Sequence, residues 1–235
     1  MKVVALQGLH GGTGTSGIVA ALAAALVQTG QTVLCIDLDP RNLLRLYFNH
    51  QWRDRRGWAQ AVAAGQDWHE GAFTLGAGLD FLPYGETEPR GRTAAFHDWR
   101  QRLAILEDSV YGWILLDIPQ GGATEDVRHT ADIHLRVAQA DPICHALLAA
   151  GALGNDDCLL INRFLPSSTL QKDLHELWQA HYPDRLVPRV VHQDEAMFEA
   201  LAHKRSVVAY RPQSLAAQDI QCLATWLLAR EDLAE

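Results

Sequence analysis

Apolar positions in this chain gather into short continuous runs. Lys2–Gln7 (KVVALQ), Thr32–Asp37 (TVLCID), Leu79–Leu82 and Gly112–Ile118 (GWILLDI) each stop at a glycine, an aspartate or a proline. Runs this short, apolar without alternation, are the signature of strands buried on both faces. The same reading predicts strands at Ile133–Ala138, Cys158–Asn162 and Leu186–Val191. Helical periodicity predicts helices at Ser16–Gln28, with Gly30 as a C-terminal stop, and at Ile143–Leu153, Thr169–His181, Glu195–Lys204 and Ser214–Arg230. Further helices are predicted at Arg41–Phe48, Arg56–Gly65 and Thr93–Glu107, and loops at Gly71–Gly78 and Thr87–Arg92. Strands that alternate with helices predict an α/β fold, a mainly parallel sheet with helices on both faces. No linker, repeat or low-complexity stretch interrupts the pattern, so residues 1–235 are expected to form one domain.

The 235 residues are 48% hydrophobic and 20% charged, which supplies a core and excludes disordered and fibrous classes. Lys+Arg 20 against Asp+Glu 28 gives a net charge of −8, which weighs against nucleic acid as a partner. The longest apolar run, Ile18–Val27, is shorter than the about 20 residues of a membrane span. A single charge, Lys2, precedes it, which argues against a signal peptide and for a cytoplasmic protein. Cys35, Cys144, Cys158 and Cys222 form no C-x-x-C pair and are expected to be small core residues in a reducing compartment. None of the 11 histidines falls in H-x-x-x-H or H-E-x-x-H spacing, so scattered surface histidine is expected rather than a metal site.

Ligands of open parallel sheets sit beyond the carboxyl ends of the strands. After the first strand comes Gly8-Leu9-His10-Gly11-Gly12-Thr13-Gly14-Thr15-Ser16-Gly17. Small residues opening a helix let main-chain amides wrap a phosphate, whereas a tight turn needs only one or two glycines. Two nucleotide classes fit. Gly12-x-Gly14-x-x-Gly17 with Asp37 beyond it matches a dinucleotide fingerprint. Short-chain dehydrogenase chemistry needs Tyr-x-x-x-Lys, and none of Lys2, Lys172 and Lys204 lies four residues after a tyrosine. The other class is the phosphate loop G-x-x-x-x-G-K-[ST], which Gly14 and Ser16 satisfy and Leu9 and Thr15 do not. The loop alone leaves both classes open.

The next strand ends weigh in. Asp37-Leu38-Asp39-Pro40 offers two carboxylates suited to a magnesium shell or to positioning water. Ile114-Leu115-Leu116-Asp117 is the apolar run plus aspartate that faces a metal in phosphate-loop enzymes. A solvated aspartate turn is the plain alternative for the first, and the second is a common pattern when taken alone. Together with the loop, these segments resemble the MinD/ParA ATPases, phosphate-loop NTPases with a deviant loop. Leu160-Ile161-Asn162-Arg163 and Pro188-Arg189-Val190-Val191 are similar to that family's adenine-side segments. Asn42–Leu46, Gly65–Trp68, Leu82–Gly85, His192-x-Asp194-Glu195-Ala196-Met197 and Ala216-Ala217 resemble its cellulose-biosynthesis branch.

The resemblance implies ATP and Mg²⁺ as cofactors. Gly11, Gly12, Thr13, Gly14, Thr15, Ser16 and Gly17 would cradle the phosphates, and Ser16, Asp37 and Asp117 would serve the metal. Asp39 would orient the attacking water, and Asn162, Arg189 and Val190 would lie at the base. A turn residue is the alternative for Asn162, and plain packing for Arg189 and Val190. The family's two loop lysines are replaced by His10 and Thr15, and phosphoryl transfer depends on such charges. The implied protein is therefore an ATP-bridged homodimer that hydrolyses slowly or not at all. Its implied partners are a small BcsR-like protein and the cellulose synthase-secretion complex at the inner membrane. A working partitioning ATPase and a nucleotide-free scaffold are the alternatives.

Three other features carry expectations. Trp52, Trp58 and Trp68 suit either a protein interface or the packing of a helical insertion. Arg53-Asp54-Arg55-Arg56 suits a solvated loop better than an anionic partner. The last helix carries Leu223, Trp226 and Leu227 on one face and ends acidic, which favours packing on the sheet over binding anionic lipid.

Overall fold

The central strands are β-branched and leucine-rich runs with every residue of β2 and β5 buried. The computed structural model describes residues 1–87, 98–107, 109–121 and 125–231. In chain order the elements are β1 (Lys2–Gly8), α1 (Thr15–Gln28), β2 (Val33–Asp37), α2 (Trp58–Ala63), β3 (Phe73–Gly76), β4 (Leu79–Leu82), α3 (Trp99–Ala104) and β5 (Trp113–Ile118). They continue with α4 (Glu125–Arg128), β6 (Ile133–Ala138), α5 (Pro142–Ala149), β7 (Asp157–Ile161), α6 (Thr169–His181), α7 (Ala196–Ala202), α8 (Val207–Tyr210) and α9 (Leu215–Glu231).

The strands form one sheet of order β3-β4-β2-β5-β1-β6-β7, parallel except for the β3–β4 pair. Successive residues feed opposite faces. Val4, Leu6, Val33, Cys35 and Leu115 pack under α1 and α9, while Val3, Ala5, Leu34, Ile36 and Leu116 pack under α2 and α3. A third cluster joins β7 to α5 and α6 through Cys144, Leu148, Leu174 and Trp178. The last helix packs as its apolar face implies, with Ile220, Leu223, Ala224 and Leu227 buried.

Several expectations need correcting. Gly71–Gly78 is not a loop throughout: Phe73–Gly76 pairs antiparallel with β4, Phe73 opposite Phe81. Leu186–Val191 is not a strand. It makes one bridge at Leu186 and scattered backbone bonds to β7, because Pro188 has no N–H to donate to a ladder. Arg41–Phe48 supplies only a 3-10 turn at Leu44–Phe48. Cys222 is exposed, while the other three cysteines are buried. Of the two readings of the tryptophans, packing holds for Trp58 and Trp68, which are core residues around Trp99, while Trp52 is exposed. Most of the predicted Thr87–Arg92 loop, the start of the Thr93–Glu107 helix and the acidic tail at 232–235 lie outside the described residues.

Candidate functional site

Strand register decides which side chains meet at the carboxyl edge. Asp37 on β2 stands opposite Asp117 on β5, and Asp117 stands opposite Leu6 of β1. Two carboxylates therefore lie level with the point where the chain leaves β1. The loop that follows has Gly12 at φ +91° and Gly14 at φ +90°, a conformation that costs an L side chain roughly 1–2 kcal/mol. At Gly14 a Cβ would also stand 2.6 Å from the Asn162 amide nitrogen. The Gly14 carbonyl accepts from the Ile18 N–H at 3.2 Å and so starts α1.

Two other strand ends hold the loop in shape. Asn162, after β7, donates its amide to the Thr13 carbonyl at 2.6 Å. Gln139, after β6, donates to the Gly12 carbonyl at 3.3 Å. Within the loop, the Thr13 hydroxyl donates to the His10 carbonyl at 3.3 Å and lies 3.2 Å from the Thr15 hydroxyl. His10 is tied down by its own contacts, with Nδ1 2.7 Å from the Gly11 carbonyl oxygen and Nε2 3.8 Å from Asp141.

The loop walls a cavity of about 220 Å³ together with Ser16, Gly17, Asp39, Arg41, Tyr47, Asp117, Gln120 and Arg163. A second cavity of about 140 Å³ adjoins it, sharing Gly14, Gly17, Tyr47, Arg163 and Leu201. This second space runs between Asn162 and the Met197 and Phe198 side chains of α7.

The carboxylates differ in environment. Asp37 is fully buried, and its oxygens accept from the Asp39 N–H at 2.9 Å and the Leu44 N–H at 3.1 Å. Burial and the neighbouring Asp117 still hold its pKa well above the ordinary carboxylate range. Asp117 is pushed up to about 7 by burial and Asp39, against the opposing hydrogen bond from Ser16 and the charge of Arg41. Its Oδ2 is buried and has no hydrogen-bond partner among the described residues. Such an oxygen beside a hydroxyl at a helix start is where a cation lowers the energy. Asp39 is gripped by Arg41, Nε at 3.0 Å and Nη2 at 2.6 Å from Oδ2.

The structure thus brings His10, Gly11, Gly12, Thr13, Gly14, Thr15, Ser16, Gly17, Asp39 and Asp117 onto one cavity and Asn162 onto its neighbour. Asp37 lies behind them, lining neither cavity. Arg189 is exposed, and Val190 packs with the cluster of Leu9, Phe164 and Trp178, so neither reaches the cavities. Arg41, Tyr47, Gln120, Arg163 and Leu201 line the site without having been singled out from sequence. Arg41 and Arg163 sit within or just beyond the segments that carried the resemblance. Tyr47 and Leu201 had no local signal, because tertiary packing places them, Tyr47 against α1 at Gly17 and Leu201 from α7.

Comparison with known proteins bears on the family and the fold. The family model for cellulose biosynthesis protein BcsQ matches residues 1–228. The chain is 39% identical to cellulose biosynthesis protein BcsQ of Escherichia coli K12, over 97% of this chain and 94% of that one. It is 37% identical to the protein of the same name in Salmonella typhimurium, over 98% and 96%. Among solved structures, MinD of Pyrococcus horikoshii complexed with Mg-ADP superimposes with a TM-score of 0.76 at 19% identity, covering 96% of this chain and 95% of that one. A ParA family ATPase from Chlorobium tepidum gives 0.71 at 22%, covering 95% and 98%. Cobyrinic acid a,c-diamide synthase of Mycobacterium smegmatis, with ATP analogue and magnesium, gives 0.76 at 18%, covering 100% and 97%. With a MinD/ParA-type fold and a match along nearly its whole length, the chain belongs to the BcsQ family of cellulose biosynthesis proteins.

Proposed function

We propose that this protein is an ATP-binding, MinD-like regulatory and assembly subunit of a bacterial cellulose synthase-secretion system. The observation that carries the reading is the orphaned Asp117 oxygen beside Ser16, under a glycine-shaped loop at the start of α1. That arrangement fits a magnesium nucleotide. Main-chain amides from Gly11 to Ser16 and the positive end of α1 receive phosphate oxygens. Ser16 and Asp117 hold the metal, and Asp37 adds negative charge from behind while fixing the loop after β2. The cavity beside Asn162 is left for the base. A bound magnesium ion would supply charge neutralisation for the phosphates and for the two buried carboxylates.

Turnover is slow or absent in this reading. Thr15 and His10 carry no fixed charge where related loops carry lysine, and the carboxylate of Asp39 is occupied by Arg41. The nucleotide then serves as a bridge between two copies of the chain or as a slow switch. Residues 1–235 act as one domain. The companions in this reading are a small BcsR-like protein and the secretion complex, as the resemblance implies, and the relatives' names support a place in cellulose biosynthesis. We place the protein in the cytoplasm, with partners drawing it to the inner membrane. No helix among the described residues is long and apolar enough to cross a membrane.

Calorimetry with ATP and Mg²⁺ on the purified chain, light scattering and phosphate release test this reading. Magnesium-dependent heat, a doubling of mass with ATP and negligible phosphate are expected. Brisk turnover overturns the slow-hydrolysis reading, an unchanged mass overturns the bridge, and no heat overturns the nucleotide site.

A further inference from the structure

A loop that has lost both lysines leaves the polyphosphate of its ligand short of positive charge. Two guanidinium groups line the main cavity, those of Arg41 and Arg163. Arg41 has its charge paired, because its Nε and Nη2 fork both oxygens of Asp39. Arg163 makes no salt bridge or hydrogen bond through its guanidinium among the described residues. Asp194, the acid that lines the second cavity, accepts through its two oxygens from the N–H groups of Ala196 and Ala216.

Arg163 is also held in place. Its backbone lies at φ +54°, a region that non-glycine residues rarely adopt. The preceding Asn162 is clamped to the loop through Thr13. This turn lifts the side chain off the end of β7 and lays the guanidinium over the Phe198 ring, 5.4 Å from its centroid. Its Nη2 and Nε stand 3.8 and 3.9 Å from where a Gly14 Cβ would be, and it lines both cavities at their shared wall. A stacked guanidinium keeps its in-plane N–H donors free for an anion. Its charge is felt across the cavity at Tyr47, where it opposes the burial that pushes the phenol up to about 12.

We infer that Arg163 is the cation, supplied by the same chain, that binds the phosphate chain of the nucleotide in place of the missing lysines. The inference rests on the nucleotide reading above and adds the residue that makes it work. The fork of a guanidinium matches phosphate oxygens better than an ammonium does. Reach from the strand-end side, rather than from within the loop, explains how Thr15 is tolerated.

The test is calorimetry on the full chain with Mg-ATP, Mg-ADP and adenosine, for the parent and for Arg163→Gln, Arg163→Gly and Arg163→Lys. The glycine variant removes the charge while favouring the left-handed backbone, so it stays informative if the glutamine variant folds poorly. Charge-neutral variants should bind ATP about tenfold to a hundredfold more weakly, with a shallower salt dependence. The loss should shrink for ADP and vanish for adenosine, and lysine should restore part of it. Binding of ATP within about twofold of the parent, or an equal loss for ATP and adenosine, overturns the proposal while leaving the nucleotide site standing. A parent chain that gives no heat with ATP overturns both.

Discussion

At the scale of single residues, Asp117 concentrates the energetics of the site. An aspartate in an unfolded chain ionises near pH 4, roughly, whereas Asp117 is pushed up to about 7 in the fold. The unfolded chain therefore releases its proton first, and the stability of the cation-free protein falls as pH rises between those values, then levels off. Asp117→Asn removes that penalty. The variant should melt about 5 °C higher than the parent at pH 8 without magnesium, match it near pH 4, and lose the upshift given by Mg-ATP. Differential scanning fluorimetry at the two pH values reads all three. Asp117 was legible in sequence as an aspartate closing an apolar run, and so was the glycine loop. The grip of Arg41 on Asp39 was not, because it depends on the turn through Asn42 at φ +53°. The role of Asn162 was half legible. Its place at a strand end followed from the pattern, but its bond to Thr13 is made with a residue 149 positions away.

Among the elements, α2 shows how closely backbones meet on the far face. Its first N–H groups are satisfied by the segment after β4, Trp58 to the Pro83 carbonyl and Ala59 to the Tyr84 carbonyl, both at 3.0 Å. A Cβ on Gly57 would overlap the backbone of Pro83, Tyr84 and Gly85. None of those atoms can swing aside as a flexible side chain would. Gly57→Ala is expected to cost about 3 kcal/mol, at the upper end for overpacking, as a lowered midpoint in a urea melt. The long strands could be read from sequence because burial on both faces leaves an unbroken apolar run. β3 could not, since four residues ending in Gly76 carry too little pattern. The segment from Leu186 to Val191 was apolar enough to mislead, with Pro188 the residue that should have demoted it.

For the molecule as a whole, the balance of titrating groups sets the response to acid. Burial lowers the pKa of His50, His134 and His175. Their contribution is complete above the unfolded value of about 6.5 and is lost as pH falls through their lower folded values. Its sign is opposite to that of Asp117, so the parent should show a shallow pH profile between 7 and 5. In Asp117→Asn only Asp37, still raised by burial, opposes the histidine loss, so stability should drop more steeply across that window than in the parent in urea melts, with the three imidazole signals titrating late by NMR. The architecture was legible at this scale because strands and helices alternate throughout. Which face each helix covers was not, since that depends on the order in which strands enter the sheet.

The indole of Trp58 donates to the carbonyl of Asp37 at 2.8 Å and meets Trp99 edge-on at 4.9 Å between centroids. The protein thereby carries a native fluorophore wired to the strand whose last residue lies behind the cavity under the glycine loop. Emission from that indole should shift in intensity when Mg-ATP is titrated in, and Trp58→Phe should silence most of the signal. Occupancy would then be followed optically and without a label, in mixtures where partner proteins make heats hard to assign.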